Sequence, residues 1–122
     1  MKIETAQAIG LLGIWLIGLS LNVSRLRLKH KISFGDGGHK DLGVAIRAHG
    51  NTLEQALLFA VLVLALEFRQ SGSPGWLLWP LGVFLVARVL HTLAIFRRWL
   101  PLRQLAHLTS VMVQLVLAVE LL

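Results

Sequence analysis

The 122-residue chain has no cysteine and no tyrosine, only three prolines, and six acidic residues against twelve Lys and Arg. Without cysteine there is no disulfide staple, no thiolate metal site and no protein thiol nucleophile, so any sulfur chemistry must arrive with a ligand. Charged residues make up 15% of the chain, where a soluble domain carries about 25%. Apolar residues take their place, at 56% of the sequence with a mean hydropathy of +0.72. This composition argues against both disorder and an ordinary water-soluble globule. The net charge of +6 would suggest nucleic acid in a soluble protein. Here the basic residues flank long apolar runs, which makes membrane topology their first explanation and leaves nucleic acid without support.

A membrane-spanning helix needs about 20 mostly apolar residues. Runs that meet this lie at about 5–21, 46–68, 76–96 and 104–122. The expected fold is therefore all-α, a polytopic four-helix membrane bundle occupying 1–122 as one domain. Lys2 before the first run resembles the start of a secretory signal, but the run is longer than such signals use and Glu4 precedes it. The connection between the first two runs carries Arg25, Arg27, Lys29, Lys31 and Lys40, and the third carries Arg97, Arg98 and Arg103. The opposite side holds only Lys2 and Arg69. The positive-inside bias places both basic connections in the cytoplasm and both termini outside. The second connection, from Arg69 to Gly75, reads as a tight outer hairpin, with Trp76 and Trp79 at the interfacial belt. Phe34-Gly-Asp-Gly-Gly38 lacks the Gly-Lys-Ser/Thr ending of a phosphate loop and reads as a flexible turn. No repeat relates the two halves, so an inverted-repeat transporter has no internal support.

Ionisable groups inside a span are costly and point to function. Arg47, Asn51 and Glu54 fall within about 60° on one face of the second span, with His49 pointing away. Arg88, His91 and Thr92 share a face of the third span within about 100°, and Arg103, His107, Ser110 and Gln114 form a stripe about 60° wide on the fourth. At about 1.5 Å rise per residue the three stripes lie at matching depth and converge near the basic side. Arg25, Arg47, Arg88 and Arg103 are permanent cations suited to carboxylates or phosphates, and Glu54 suits an ammonium. A zwitterion with several carboxylates would use the whole set. Glutathione has that character, and an arginine beside its thiol would favour the reactive thiolate. The structural alternative is an interhelical network. Ser110 and Gln114 read as such interhelical contacts, whereas one acid cannot neutralise three intramembrane arginines. No paired His and carboxylate spacing around His91 and His107 supports a metal. Arg97 and Arg98 read as orientation signals at the headgroups, and Glu67 and Glu120 as residues that end their helices near the outer face.

Arg47-Ala-His-x-Asn-x-x-Glu54, Arg88-x-x-His91-Thr92 and Pro101-x-Arg103, set in four apolar runs with a basic first connection, resemble the MAPEG family of membrane-associated proteins in eicosanoid and glutathione metabolism. The short length and Gly-Asp-Gly-Gly loop look like its bacterial inner-membrane type. The resemblance implies a homotrimer of four-helix subunits with glutathione bound between neighbours on the cytoplasmic side. It makes Arg47, Asn51, Glu54, Arg88 and His91 glutathione-binding and Arg103 the thiol activator. The chain departs from prostaglandin-forming members: Ile95 and His107 stand where those have tyrosines, and Gln104 where they have serine. Prostaglandin synthesis is therefore not implied.

The resulting expectation is a glutathione-dependent transferase or peroxidase acting on lipophilic electrophiles that enter from the bilayer. The alternative is a non-catalytic protein that binds glutathione or an anionic lipid, a reading the missing tyrosines favour. A small exporter would need an acidic residue deep in the first span, where only Glu4 lies near the end. Gly10, Gly13 and Gly18 would permit close helix contact in that span.

Overall fold

The computed structural model describes residues 3–70 and 74–122. It contains α1 (Ile3–His30), α2 (Lys40–Arg69), a single 3-10 turn (Gly75–Leu77), α3 (Leu78–Arg97) and α4 (Leu100–Val119). Each helix is long and apolar enough to cross a membrane. The fold is thus the expected all-α four-helix membrane bundle. Lys2, and Ser71 to Ser73 of the expected outer hairpin, lie outside the described residues.

Helix lengths show where the sequence reading fell short. At about 1.5 Å per residue, α3 and α4 each run about 30 Å, the thickness of the hydrocarbon core, whereas α1 and α2 exceed 40 Å. The excess lies beyond Leu21 and before Ile46, where the apolar runs stop but the helices continue. The expected connection of 22–45 is therefore mostly helix, and only residues 31–39 join the two. Apolar residues hold this extension together. Leu26 packs with Leu42 and Ala45, with Val23, Ile32 and Ile46 against them. Polar residues on the outside of such a hairpin lower its hydropathy without breaking its helical period.

The joining loop is fixed by backbone acceptors. Arg27 Nη1 donates to the carbonyls of Ser33 (3.2 Å) and Gly35 (2.9 Å). The Gly38 amide donates to Asp36 Oδ1 (3.0 Å) and the His39 amide to the Asp36 carbonyl (2.9 Å). Gly37 and Gly38 have φ of +56° and +80°, a region that L side chains enter only at a cost. Asp41, before the membrane-spanning part of α2, accepts a 2.9 Å bond from His30 Nε2. That bond holds the Asp41 carboxyl below the ordinary carboxylate range, with the Leu42 amide and the charges of His30 and Lys29 adding.

The turn from α3 to α4 is tighter. Arg98 adopts a left-handed conformation (φ +54°), its amide donating to the Ile95 carbonyl (3.1 Å) and that of Trp99 to Ala94 (2.9 Å). This paired pattern satisfies the last carbonyls of α3. Pro101 then falls in the first turn of α4, where its fixed φ suits a helix and its missing N–H costs nothing.

α3 packs most extensively on α4 and α1 on α2, while α2 also meets α3 and α4. The centre of the bundle is the stacked pair Phe59 and Phe84, with ring centroids 3.8 Å apart and planes within 2°. Val63, Leu66, Leu77 and Leu117 are completely or almost completely buried around it. Outward positions such as Ile14, Leu57 and Leu105 remain exposed, as lipid-facing side chains do in a fold without water at its surface. A Cβ added at Gly10, Gly13 or Gly18 would meet nothing within 4 Å. The α1 glycines therefore make no close approach to another helix of this chain.

Candidate functional site

Three of the polar stripes meet through Arg88. This side chain is 1% exposed, and it reaches across the bundle because α3 faces both α2 and α4 at that level. Its Nε and Nη2 donate to Ser110 Oγ of α4 (3.0 and 2.7 Å), Nη1 to Asn51 Oδ1 of α2 (3.0 Å), and Nη2 also reaches the Ala106 carbonyl (3.5 Å). The guanidinium carbon lies 5.7 Å from the centre of the Phe84 ring, within cation–π range. Ser110 in turn donates to the Ala106 carbonyl (2.9 Å). Gln114 Nε2 donates to the Gln55 carbonyl (2.8 Å). Ser110 and Gln114 thus make the interhelical contacts expected of them.

Among the described residues, all of the acceptors around Arg88 are neutral. A buried cation with no carboxylate partner is expensive, and negative charge held nearby would offset that cost. Space for it lies toward the basic end. A pocket of about 220 Å³ is lined by Asn51, His91, Leu100, Arg103, Gln104 and His107. The His91 and His107 rings are 6.0 Å apart, and the Nδ1 of each is buried without a hydrogen-bond partner among the described residues. Unpaired buried polar atoms are uncommon in native folds. Two beside one pocket leave room there for a ligand or water.

A larger cavity of about 390 Å³ adjoins it. Lys40 and Arg47 of α2 form one wall, Arg98 and Trp99 of the α3–α4 turn another, and Arg103 of α4 a third, with Asp36 as the sole acid. Arg103 lines both spaces. It sits one turn into α4, its amide bonded to the Trp99 carbonyl (3.1 Å), so the positive end of the helix dipole adds to the cationic lining. The combination favours a multiply charged anion through forked and point-charge contacts together.

The predicted residues divide accordingly. Arg47 and Arg103 line the large cavity, and Asn51, His91 and Arg103 the smaller one. Arg88 lies behind them, with four of its five N–H donors directed to Asn51, Ser110 and Ala106. Glu54 is exposed on α2, outside both spaces. Arg25 lies in a separate cleft with Asn22, Lys29, Asp41 and Phe96, and bonds Asn22 Oδ1 (2.9 Å). Val44 and Arg98 form the partition between that cleft and the large cavity. Glu67, expected to end its helix, instead lies 6% exposed inside α2, which continues to Arg69. Glu120 caps the end of α4.

Lys40, Asp36, Arg98 and Trp99 were missed. Lys40 lies seven residues before Arg47 and so extends the Arg47–Asn51 stripe by two turns. That signal becomes readable once α2 is allowed to start before its apolar run. Arg98 read as a headgroup anchor because sequence does not reveal its left-handed turn, which directs the chain across the cavity mouth.

The chain is 38% identical over 77 residues to the inner membrane protein YecN of Escherichia coli K12, and equally to that of Escherichia coli O6:H1. The match covers 62% of this chain and 57% of those proteins, so the chain spans little more than half the length of the curated relatives it matches. No solved structure matches it. The family model described as "MAPEG family" matches residues 5–122, all four helices and the polar stripes that meet at Arg88, and the chain belongs to the MAPEG family.

Proposed function

We propose that this protein is a glutathione-dependent transferase or peroxidase of the bacterial inner membrane, acting on lipophilic electrophiles. The observation that carries this reading is the placement of Arg103, which borders both a multiply cationic cavity and a pocket holding two unpartnered histidine nitrogens. The volume of about 390 Å³ falls in the range of small-molecule sites, and the cationic lining suits the two carboxylates of the tripeptide.

Glutathione supplies the nucleophilic thiol when bound. Arg47, Lys40 and Arg98 hold carboxylates at the mouth, Asn51 and His91 take polar groups deeper in, and Arg103 lies where charge builds on sulfur. A guanidinium there lowers the thiol pKa and pre-organises the charge of attack without reorienting solvent. In transfer, a carbon–sulfur bond forms as the electrophile's leaving group departs. In peroxide reduction, two thiols become a disulfide as the hydroperoxide becomes alcohol and water. An exposed apolar groove of about 330 Å³ between α3 and α4, with Leu102 and Leu105 in its wall, offers the second substrate a route from the bilayer.

Glu54 and Arg25 stand outside the cavity of a single chain. In the proposed reading they meet ligand in a homotrimer, with glutathione at subunit interfaces on the cytoplasmic side and both termini outside. The experiment is steady-state conjugation of glutathione to a halogenated nitrobenzene by detergent-purified protein. Arg103→Ala is expected to reduce kcat at least tenfold, about 1.4 kcal/mol, while changing glutathione affinity less. Equal loss of both, or no loss, would remove Arg103 from the role. A second reading is favoured by His107 and Gln104 beside Arg103 in a chain without tyrosine: the site binds glutathione or an anionic lipid without activating it. Binding with no conjugation by any variant would select it.

A further inference from the structure

The loop between α1 and α2 brings together side chains that neither the sequence reading nor the cationic cavity uses. His30 ends α1, His39 precedes the first turn of α2, and Asp41 lies in that turn. One ligand atom from each lies within 4.8 Å of the other two. The imidazole rings stack with centroids 3.9 Å apart and planes 16° from parallel, and His30 Nε2 is 2.9 Å from Asp41 Oδ2. No hydrogen bond to the His39 ring occurs among the described residues. The His30 side chain is 16% exposed and that of Asp41 47%, so an ion could enter and keep water on its open side.

We propose that His30, His39 and Asp41 form a divalent transition-metal site that clamps the end of α1 to the start of α2. Two imidazoles and one carboxylate suit zinc and its neighbours better than calcium or magnesium, which prefer all-oxygen sets. Donors bound to one zinc at about 2.0–2.1 Å in tetrahedral geometry lie about 3.4 Å apart. The His30–Asp41 pair needs to open by only a few tenths of an ångström for an ion to replace its hydrogen bond. The widest pair, within 4.8 Å, closes by up to about 1.4 Å, and the His39 ring turns out of its stacked arrangement to aim its in-plane lone pair at the ion. The connection that carries His39 contains Gly35, Gly37 and Gly38, residues that tolerate such adjustment. Lys29, Lys31 and Lys40 flank the ligands and oppose a dication, which makes the carboxylate of Asp41 essential to the set.

The clamp has a consequence at the cavity because the same loop carries Asp36 and leads into Lys40, both in its wall. Holding His39 to His30 fixes the segment between them and so the mouth of the cationic site. The site itself rests on its own three residues and stands whether or not the cavity takes glutathione.

The test is calorimetric titration of Zn²⁺ into the full chain in detergent with any affinity tag removed, paired with Co²⁺ absorption spectroscopy. The expected result is saturable binding of one ion per chain with ligand-field bands. His39→Ala and Asp41→Asn should each weaken it at least about tenfold, since even indirect metal contacts are worth 10–100-fold, and His49→Ala should not change it. Circular dichroism of each variant checks that it remains helical. If His39→Ala loses helicity, the near-isosteric Asp41→Asn decides. Absence of saturable binding by the folded parent, or binding unchanged in Asp41→Asn, would overturn the proposal.

Discussion

Arg88 of α3 and Ser110 of α4 form a close polar contact in the bundle interior, with Nε and Nη2 3.0 and 2.7 Å from one hydroxyl oxygen. A hydroxyl that accepts two guanidinium donors and gives its own proton to the Ala106 carbonyl has no capacity left, so Ser110 acts as a structural tie. Ser110→Ala leaves Nε without a partner inside the bundle and is expected to cost about 1–3 kcal/mol. Arg88→Met removes the buried cation along with its needs and should cost less than Ser110→Ala, as apolar replacement of buried charge commonly does. Thermal unfolding midpoints of the two variants in the same detergent give the order. A larger loss in Arg88→Met would mean that the cation itself stabilises the fold.

Arg98 allows stability and binding to be moved in opposite directions. Its left-handed backbone costs a non-glycine residue roughly 1–2 kcal/mol. Arg98→Gly should therefore raise stability by up to about 1 kcal/mol after the entropy gained by the unfolded chain, and the unfolding midpoint with it. The same change removes one cation from the cavity lining and should weaken anionic ligand binding. Paired melting and binding measurements on this variant check both signs.

The α1–α2 loop depends on Arg27, whose Nη1 serves two carbonyls at 3.2 and 2.9 Å. Arg27→Ala should leave the four helices intact and speed amide exchange at 33–38 by up to about tenfold, the equivalent of about 1.4 kcal/mol of local stability. Exchange faster throughout α1 and α2 would instead place Arg27 in the global fold.

Much of this architecture was legible in sequence because membrane helices announce themselves by apolar length and their polar groups by rarity. The stripe of Arg88, His91 and Thr92 follows from helical period alone, and all three are buried. Period could not say which partner each would find. Arg88 and Glu54 both lie on polar stripes expected to converge, yet the packing of α3 between α2 and α4 closes around Arg88 and leaves Glu54 exposed. The extension of α1 and α2 was hidden for a related reason. Arg25, Arg27 and Lys29 lower hydropathy, but helix formation there depends on the buried seam of Leu26, Leu42 and Ala45. His30, His39 and Asp41 were illegible because their proximity exists only once that seam sets the register of the two helices.

The central claim, that the cationic cavity is a glutathione site, is tested most directly by calorimetric titration of glutathione into the detergent-purified protein, with Arg47→Ala and Arg103→Ala as paired variants. The account predicts saturable binding by the parent, weakened at least about tenfold in Arg47→Ala, since charge-assisted bonds are worth about 1.5–3 kcal/mol. Binding should be weakened less in Arg103→Ala. No heat of binding from the folded protein, or equal binding by the parent and Arg47→Ala, would contradict it.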